Sequence, residues 1–207
     1  MHRGISRSLP SACWCVPHWL RVVALALLAC ILTGCSDAPL RPEALLDPHQ
    51  TPTTLAAFEF QDYHITPLAD FDLTARVLGS EHYRFDGGSK LAKVDLALGW
   101  GPMAEPKHYK EVQVTQSGRW YRWRPSRSLT LTTDEVSLHS ANMHLIAANE
   151  EVENTLLRAR AHDQIHITGQ LVYVRGPKGF FWKSSLTRED TGSGSCELVY
   201  VTAAHLY

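Results

Sequence analysis

The sequence has almost no net charge, because 20 lysines and arginines stand against 21 aspartates and glutamates in its 207 residues. Such a balance provides no strong positive field, which argues against nucleic acid as a partner. The sequence also lacks any Cys-x-x-Cys, His-x-His or His-Glu-x-x-His pattern, the usual spacings of zinc ligands. We therefore expect neither a metal nor any other cofactor.

Long apolar runs are absent as well. Residues 22–32 form an apolar run of eleven, whereas a helix needs about 20 apolar residues to span a bilayer. Three arginines precede this run and small residues follow it. A basic start, a short apolar core and small residues before a cleavage point predict a secretory signal, which we place at residues 1–34.

The signal ends in Leu32-Thr33-Gly34-Cys35, which resembles the lipobox of bacterial lipoproteins. The resemblance implies that lipid is attached to the Cys35 thiol, that the chain is cut before it, and that the new amino terminus is acylated, as with palmitate. The protein would then be held at the membrane through Cys35, facing the periplasm. Ser36 directly after the cysteine favours the outer over the inner membrane.

Cysteine becomes scarce once residues 1–34 are removed, because only Cys35 and Cys196 remain of five. With lipid on Cys35, Cys196 has no second cysteine to pair with in a compartment that favours disulfides. It begins a strand-like run over residues 196–201, which favours a buried and inert thiol over a catalytic one.

The chain divides into a signal peptide at residues 1–34, a lipidated tether at 35–57 and one globular domain at 58–207. Four prolines and the absence of an apolar period predict the tether. Removing the three leader arginines leaves 17 basic against 21 acidic residues, so attachment to a membrane would depend on the acyl chains rather than on charge.

The patterning predicts an α+β fold. A strongly curved antiparallel sheet, or a small partial barrel resembling the OB type, is expected beside one principal helix at about residues 150–161. Asn149 is the predicted N-cap of that helix, and Gly169 predicts a bulge or sharp bend. Residues 138–146 are compatible with a strand or with an extended approach to the helix. The predicted strands and hairpins cover residues 71–78, 112–123, 165–185 and 196–202.

A cluster of arginines and aromatics is the first candidate site. Guanidinium groups beside ring faces favour cation–π contacts, and such a surface could stack sugars or peptides. The alternative is an amphipathic strand whose tryptophans fill the core beneath the arginines. Exposed tryptophans would favour binding, and buried ones would weaken that interpretation. The candidate binding residues are Arg119, Trp120, Arg122, Trp123 and Arg124.

A second candidate is the polar set Ser140, Asn142 and His144, which share one face if their segment is a strand. They form either a small pocket or hydrogen bonds that hold neighbouring elements. A Ser140–His144 pair would suit a hydrolase, although no Gly-x-Ser-x-Gly motif supports it. Asp190-Thr191-Gly192 resembles the aspartic protease turn, but its polar, glycine-rich surroundings favour an ordinary turn.

Residues 96–102, 139–148 and 184–192 resemble a family of proteobacterial envelope proteins, over about residues 71–201. That resemblance implies no activity and transfers no catalytic residue. We expect a lipid-anchored envelope protein whose periplasmic domain binds or scaffolds another envelope component, protein or glycan, without catalysis. The alternative is a periplasmic hydrolase with a Ser/His or carboxylate site.

Overall fold

The computed structural model describes residues 39–187 and 196–207. The predicted signal peptide, Cys35 and Asp190 lie outside these residues. Strands dominate and helices are few, which confirms the α+β class. Among the described residues, no helix has the length and apolar content needed to cross a bilayer.

Ten strands and three α-helices are present in the described part of the chain. The strands are β1 (His49–Thr51), β2 (Phe58–Phe60), β3 (Tyr63–His82), β4 (Val94–Gly99), β5 (Val112–Ser117), β6 (Trp120–Pro125), β7 (Ser140–Ala147), β8 (Gln164–Arg175), β9 (Phe181–Lys183) and β10 (Glu197–Leu206). The helices are α1 (Pro106–Tyr109), α2 (Thr133–Leu138) and α3 (Glu150–Arg158), with 3₁₀ turns at Pro42–Leu45, Gly101–Ala104 and Pro177–Gly179.

Five strands form a hydrogen-bonded ring in the order β3-β4-β7-β10-β8, and β8 pairs back onto β3. The ring confirms the predicted strong curvature of the sheet. The prediction of an antiparallel sheet was wrong for one pair, because β7 and β10 run parallel. Strands that run the same way need a long crossover, which α3, β8 and β9 supply.

The inner face of the ring is apolar. Alternate residues of its strands, such as Leu96 and Met143, point inward and pack with Val152 and Leu156 of α3. The residues between them in the strands, including Asp95 and His144, therefore point to the outer face. Both are buried there, since other parts of the chain cover that face.

Helix α3 begins as predicted, because the Asn149 side chain accepts a hydrogen bond of 3.0 Å from the Val152 backbone N–H. It ends at Arg158 rather than at 161, since Ala159 has left helical geometry. Helix α2 was not predicted. Its start carries a capping box between Thr132 and Glu135, a local signal that the sequence does contain.

Gly169 lies where β8 passes between β3 and β10. A Cβ at this position would collide with the backbone carbonyl of Tyr200. The pairing of β8 with β10 shifts register between Val201 and Ala203, directly beyond Gly169. The predicted bulge is confirmed, and only glycine lets the two backbones approach so closely.

The described part of the predicted tether packs against the domain. Strand β1 pairs with β3, and the Gln164 side-chain amide donates to the Pro39 carbonyl at 2.6 Å. Ala44 is fully buried. Residues 39–51 are therefore packed against the domain.

Candidate functional site

A cleft of about 500 Å³ lies over the outer face of the ring. We refer to this space as the cleft. His144 of β7 and Cys196, just before β10, form part of its wall. Three other segments complete it: residues 86–88 of the β3–β4 connection, 119–120 at the β5–β6 turn, and 180–183 around β9.

The β5–β6 hairpin was predicted, and its turn aims an arginine at the cleft. Gly118 and Arg119, the two residues between paired Ser117 and Trp120, have φ values of 59° and 71°. Two successive positive φ angles define a type I′ turn, which suits the twist of a hairpin. Arginine is unusual in this conformation, so its contacts must compensate for the local strain.

Arg119 binds two carboxylates at once. Its Nε and Nη2 donate to Asp86 at 2.5 and 2.9 Å, and its Nη1 donates to Asp95 at 2.7 Å. Nη2 also donates to the Ala92 carbonyl at 2.8 Å. The guanidinium lies 3.7 Å from the centre of the Tyr83 ring, a cation–π contact. The side chain is thus held in one position.

This arrangement changes the pKa values of its members. The hydrogen bond from Arg119 lowers the pKa of Asp86, outweighing desolvation, which raises it. Burial lowers the pKa of Arg119, but the hydrogen bond that it donates to Asp86 and the charge of Asp95 more than reverse that effect. Burial raises the pKa of Tyr83 to about 12. Arg119 and Asp86 therefore stay charged at neutral pH.

Asp95 also contacts His144. The Asp95 Oδ2 and His144 Nδ1 atoms are 2.9 Å apart, and the two side chains are 1% and 4% exposed. Among the described residues, neither atom has a hydrogen-bond partner, so the pair is a close electrostatic contact. With Nδ1 toward Asp95, the imidazole Nε2 is the nitrogen left to act on a ligand.

Aromatic rings form much of the cleft wall. The Trp182 ring lies 4.5 Å from the His144 ring, tilted by 47°. Trp120 and Phe181 are 43% and 72% exposed, so their faces are available to a ligand. Trp182 also packs over Gly88, where an added Cβ would lie 2.8 Å from its ring.

The predicted arginine–aromatic cluster divides between two surfaces. Arg119 and Trp120 line the cleft. Arg122 and Arg124 are exposed farther along β6 and do not line it, whereas half-buried Trp123 packs against an apolar cluster near α1 and α2. Each of the two interpretations of this cluster therefore describes part of it.

The second predicted set is placed as strand geometry predicts, with Ser140, Asn142 and His144 on one face of β7. The Ser140 hydroxyl donates to the Val136 carbonyl at 2.6 Å, and Asn142 accepts from Gln116 of the hairpin at 2.8 Å. Four residues of a strand span roughly 13 Å, so Ser140 and His144 do not form a catalytic pair. Of the three, His144 lines the cleft.

Several residues of the site were missed in the sequence, notably the cleft residues Asp86, Phe181 and Trp182 and the buried Asp95. Asp95 carried a usable signal, because a carboxylate inside a buried apolar strand needs a partner. Cys196 was predicted to be buried, but it is half-buried and lines the cleft. Among the described residues, no group of three His, Cys, Asp or Glu is arranged to hold a metal ion.

Comparison with known proteins found no match to a family model, to a curated protein or to a solved structure.

Proposed function

We propose that the chain is a lipid-anchored envelope protein whose periplasmic domain binds a glycan of the envelope in the cleft. The observation that carries this proposal is the concave wall that contains Trp120, Phe181 and Trp182 beside His144 of β7. Aromatic rings offer flat apolar faces, and those of Trp120 and Phe181 are exposed in the unliganded chain.

The order of elements supports this choice of surface. The ring runs β3-β4-β7-β10-β8. In chain order its strands are β3, β4, β7, β8 and β10, and the main helix, α3, lies between the third and fourth of them, β7 and β8. We interpret this as a small barrel of the OB type, whose second and third strands and adjoining loops bind oligosaccharides or oligonucleotides. The cleft includes His144 of β7, the equivalent of the third strand, and is lined by residues of the β3–β4 and β8–β10 connections.

A glycan suits the cleft better than a nucleic acid does. Arg119 is already bound by Asp86 and Asp95, which leaves little positive charge for a phosphate backbone. The whole chain carries a formal charge of −1. Binding of a polyanion depends largely on cationic contacts, whereas a neutral sugar needs stacking surfaces and a few polar groups.

A glycan also suits the cleft better than a folded protein partner does. A cavity of about 500 Å³ is in the range of sites that enclose small ligands. Stable protein interfaces bury about 800 Å² on each partner and are usually much flatter. A short stretch of sugars is therefore the occupant that we favour.

The proposed location of the protein at the membrane is based on the sequence. The apolar run at residues 22–32 and the lipobox-like Leu32-Thr33-Gly34-Cys35 support lipidation at Cys35. Ser36 supports the outer membrane over the inner. Glycans of the cell envelope would then lie within reach of the domain.

Binding is tested with purified peptidoglycan sacculi, by co-sedimentation of the detergent-solubilised full chain. Soluble chitotetraose, followed by tryptophan fluorescence, supplies a second probe. Trp120→Ala and Phe181→Ala are each expected to weaken binding roughly tenfold, since each removes one stacking surface.

Arg124→Ala is the matched control, because it alters the same hairpin away from the cleft. Its binding is expected to equal that of the unchanged chain. Failure of the unchanged chain to bind either probe, or equal loss in Arg124→Ala and Trp120→Ala, would overturn the proposal of a glycan in the cleft.

A further inference from the structure

Cys196, just before β10, and His144 of β7 line the same cleft. Leu198 of β10 pairs with His144 of β7 in the parallel register, and Cys196 precedes Leu198 by two residues. Alternation puts Cys196 on the same face as Leu198 and His144. Neighbouring strands about 4.8 Å apart, with an offset of two residues or about 6.6 Å, put the two Cα atoms roughly 8 Å apart, within reach of a ring and a thiol. Both side chains line the cleft.

His144 is held in the orientation that a base needs. Its Nδ1 faces Asp95 at 2.9 Å, and Trp182 packs against its ring. Asp95 is itself held by Arg119 at 2.7 Å. A carboxylate beside one ring nitrogen helps to orient the imidazole, so that the other nitrogen can exchange a proton with a nucleophile.

We infer that Cys196 is a nucleophilic thiol that accepts an acyl group from a carboxylic ester bound in the cleft, with His144 as its general base. Asp95 acts through His144 and is a positioning residue. The inference rests on the proposed glycan site and names its substrate class, a sugar whose hydroxyl carries an acyl ester.

The reaction needs only water as co-reactant. His144 takes the Cys196 proton, the sulfur bonds to the acyl carbon, and the ester C–O bond breaks. His144 returns the proton to the departing sugar hydroxyl. Water then attacks the thioester while His144 takes a water proton, and that proton passes to the departing sulfur. The products are the free sugar hydroxyl, a carboxylic acid and the restored thiol.

The side chains around the Cys196 thiol carry charges of both signs, and they belong to several of the segments that line the cleft. Asp86 and Arg119 face it from the β3–β4 connection and the hairpin turn, and Lys183 faces it from β9.

The first experiment uses 4-nitrophenyl acetate with the full chain in detergent. We expect a burst of nitrophenol and, by peptide mass spectrometry, one acetyl group on Cys196. Cys196→Ala should lose the burst and the modified peptide. His144→Gln should slow the burst roughly 10²–10⁴-fold, the usual contribution of a general base. Acetylation of Lys183 in place of Cys196 would overturn the inference.

Because His144 is buried, a second measurement uses the unchanged chain, so that loss of folding in a variant cannot decide the result. Iodoacetamide at pH 7 should alkylate Cys196 at least tenfold faster than it alkylates glutathione, since a nearby imidazole favours the thiolate. An alkylation rate equal to or below that of glutathione would also overturn the inference.

The two proposals fail separately. Binding of sacculi without acetylation of Cys196 would refute the thiol chemistry and leave the glycan site standing. Acetylation of Cys196 without binding of sacculi or chitotetraose would refute the glycan and leave a thiol that acts on other esters. Binding of sacculi by the unchanged chain together with acetylation of its Cys196 would support both.

Discussion

Arg119 shows how one residue connects the hairpin to the ring. It occupies a turn position where arginine is unusual, and its guanidinium lies between Asp86 of the β3–β4 connection and Asp95 of β4. The side chains of Arg119 and Asp95 are 15% and 1% exposed. The positive charge of Arg119 therefore offsets the large desolvation cost of burying the Asp95 carboxylate.

Arg119→Ala should lower the free energy of unfolding by about 3–5 kcal/mol, because Asp95 would remain buried without its cation. Urea denaturation at pH 7 measures the loss. The exposed Arg124→Ala on the same hairpin should change stability by less than about 0.5 kcal/mol. A cost for Arg119→Ala as small as that of Arg124→Ala would contradict a stabilising role for this contact.

Because of Asp86, the stability of the fold should depend on pH in the acid range. Its pKa is lowered in the folded chain chiefly by the hydrogen bond from Arg119. Such a group stabilises the fold above its unfolded pKa of about 3.9, and that contribution is lost as pH falls through the lower folded pKa.

Asp86→Asn should therefore be less stable than the unchanged chain at pH 7, and the difference should shrink below about pH 4. Chemical denaturation at several pH values would follow the two curves as they converge. A difference that stays constant, or widens, as pH falls would show that Asp86 does not contribute through its charge.

At the scale of elements, Gly169 sets how closely β8 and β10 approach. Gly169→Ala forces a Cβ against the Tyr200 carbonyl, so we expect a loss of about 1–3 kcal/mol and a lower Tm. Gly87→Ala is the matched control, since an added Cβ there meets nothing within 4 Å. Equal thermal stability of the two variants would show that the backbones separate at little cost.

The elements that the sequence predicts well are those fixed by neighbours in the chain. The N-cap of α3 and the β5–β6 and β8–β9 hairpins depend on residues a few positions apart. Helix α2 depends on equally local signals, since Thr132 and Glu135 form its capping box, and it was overlooked. The early end of α3 follows from the change in backbone geometry at Ala159.

The cleft depends on contacts between distant residues, which single-sequence patterns do not reveal. Arg119 meets Asp86 and Asp95 across 33 and 24 positions of sequence. Periodicity identified strands, but it carried no information on the parallel pairing of β7 with β10. The sequence therefore indicated Arg119, Trp120 and His144 as candidates, and it could not show that they share a wall with Cys196 and Trp182.

For the whole molecule, the packed segment at residues 39–51 limits any tether. Only four positions separate Cys35 from Pro39, the first described residue. An extended chain spans at most about 3.6 Å per residue, or about 14 Å over that distance. If Cys35 carries lipid, the folded part works close to the bilayer, and its ligand must be present there.

Cys35→Ala tests that arrangement. Acyl chains hold a protein by about 0.8 kcal/mol for each buried CH₂, and the mature chain has too little positive charge to stay at an anionic surface without them. We expect the unchanged protein in the membrane pellet of its native host and Cys35→Ala outside it. Intact mass should show acyl groups on the unchanged chain only. Cys196→Ala, which removes the other cysteine of the mature chain, should stay in the pellet. Retention of Cys35→Ala in the pellet would mean that some other feature holds the protein at the membrane.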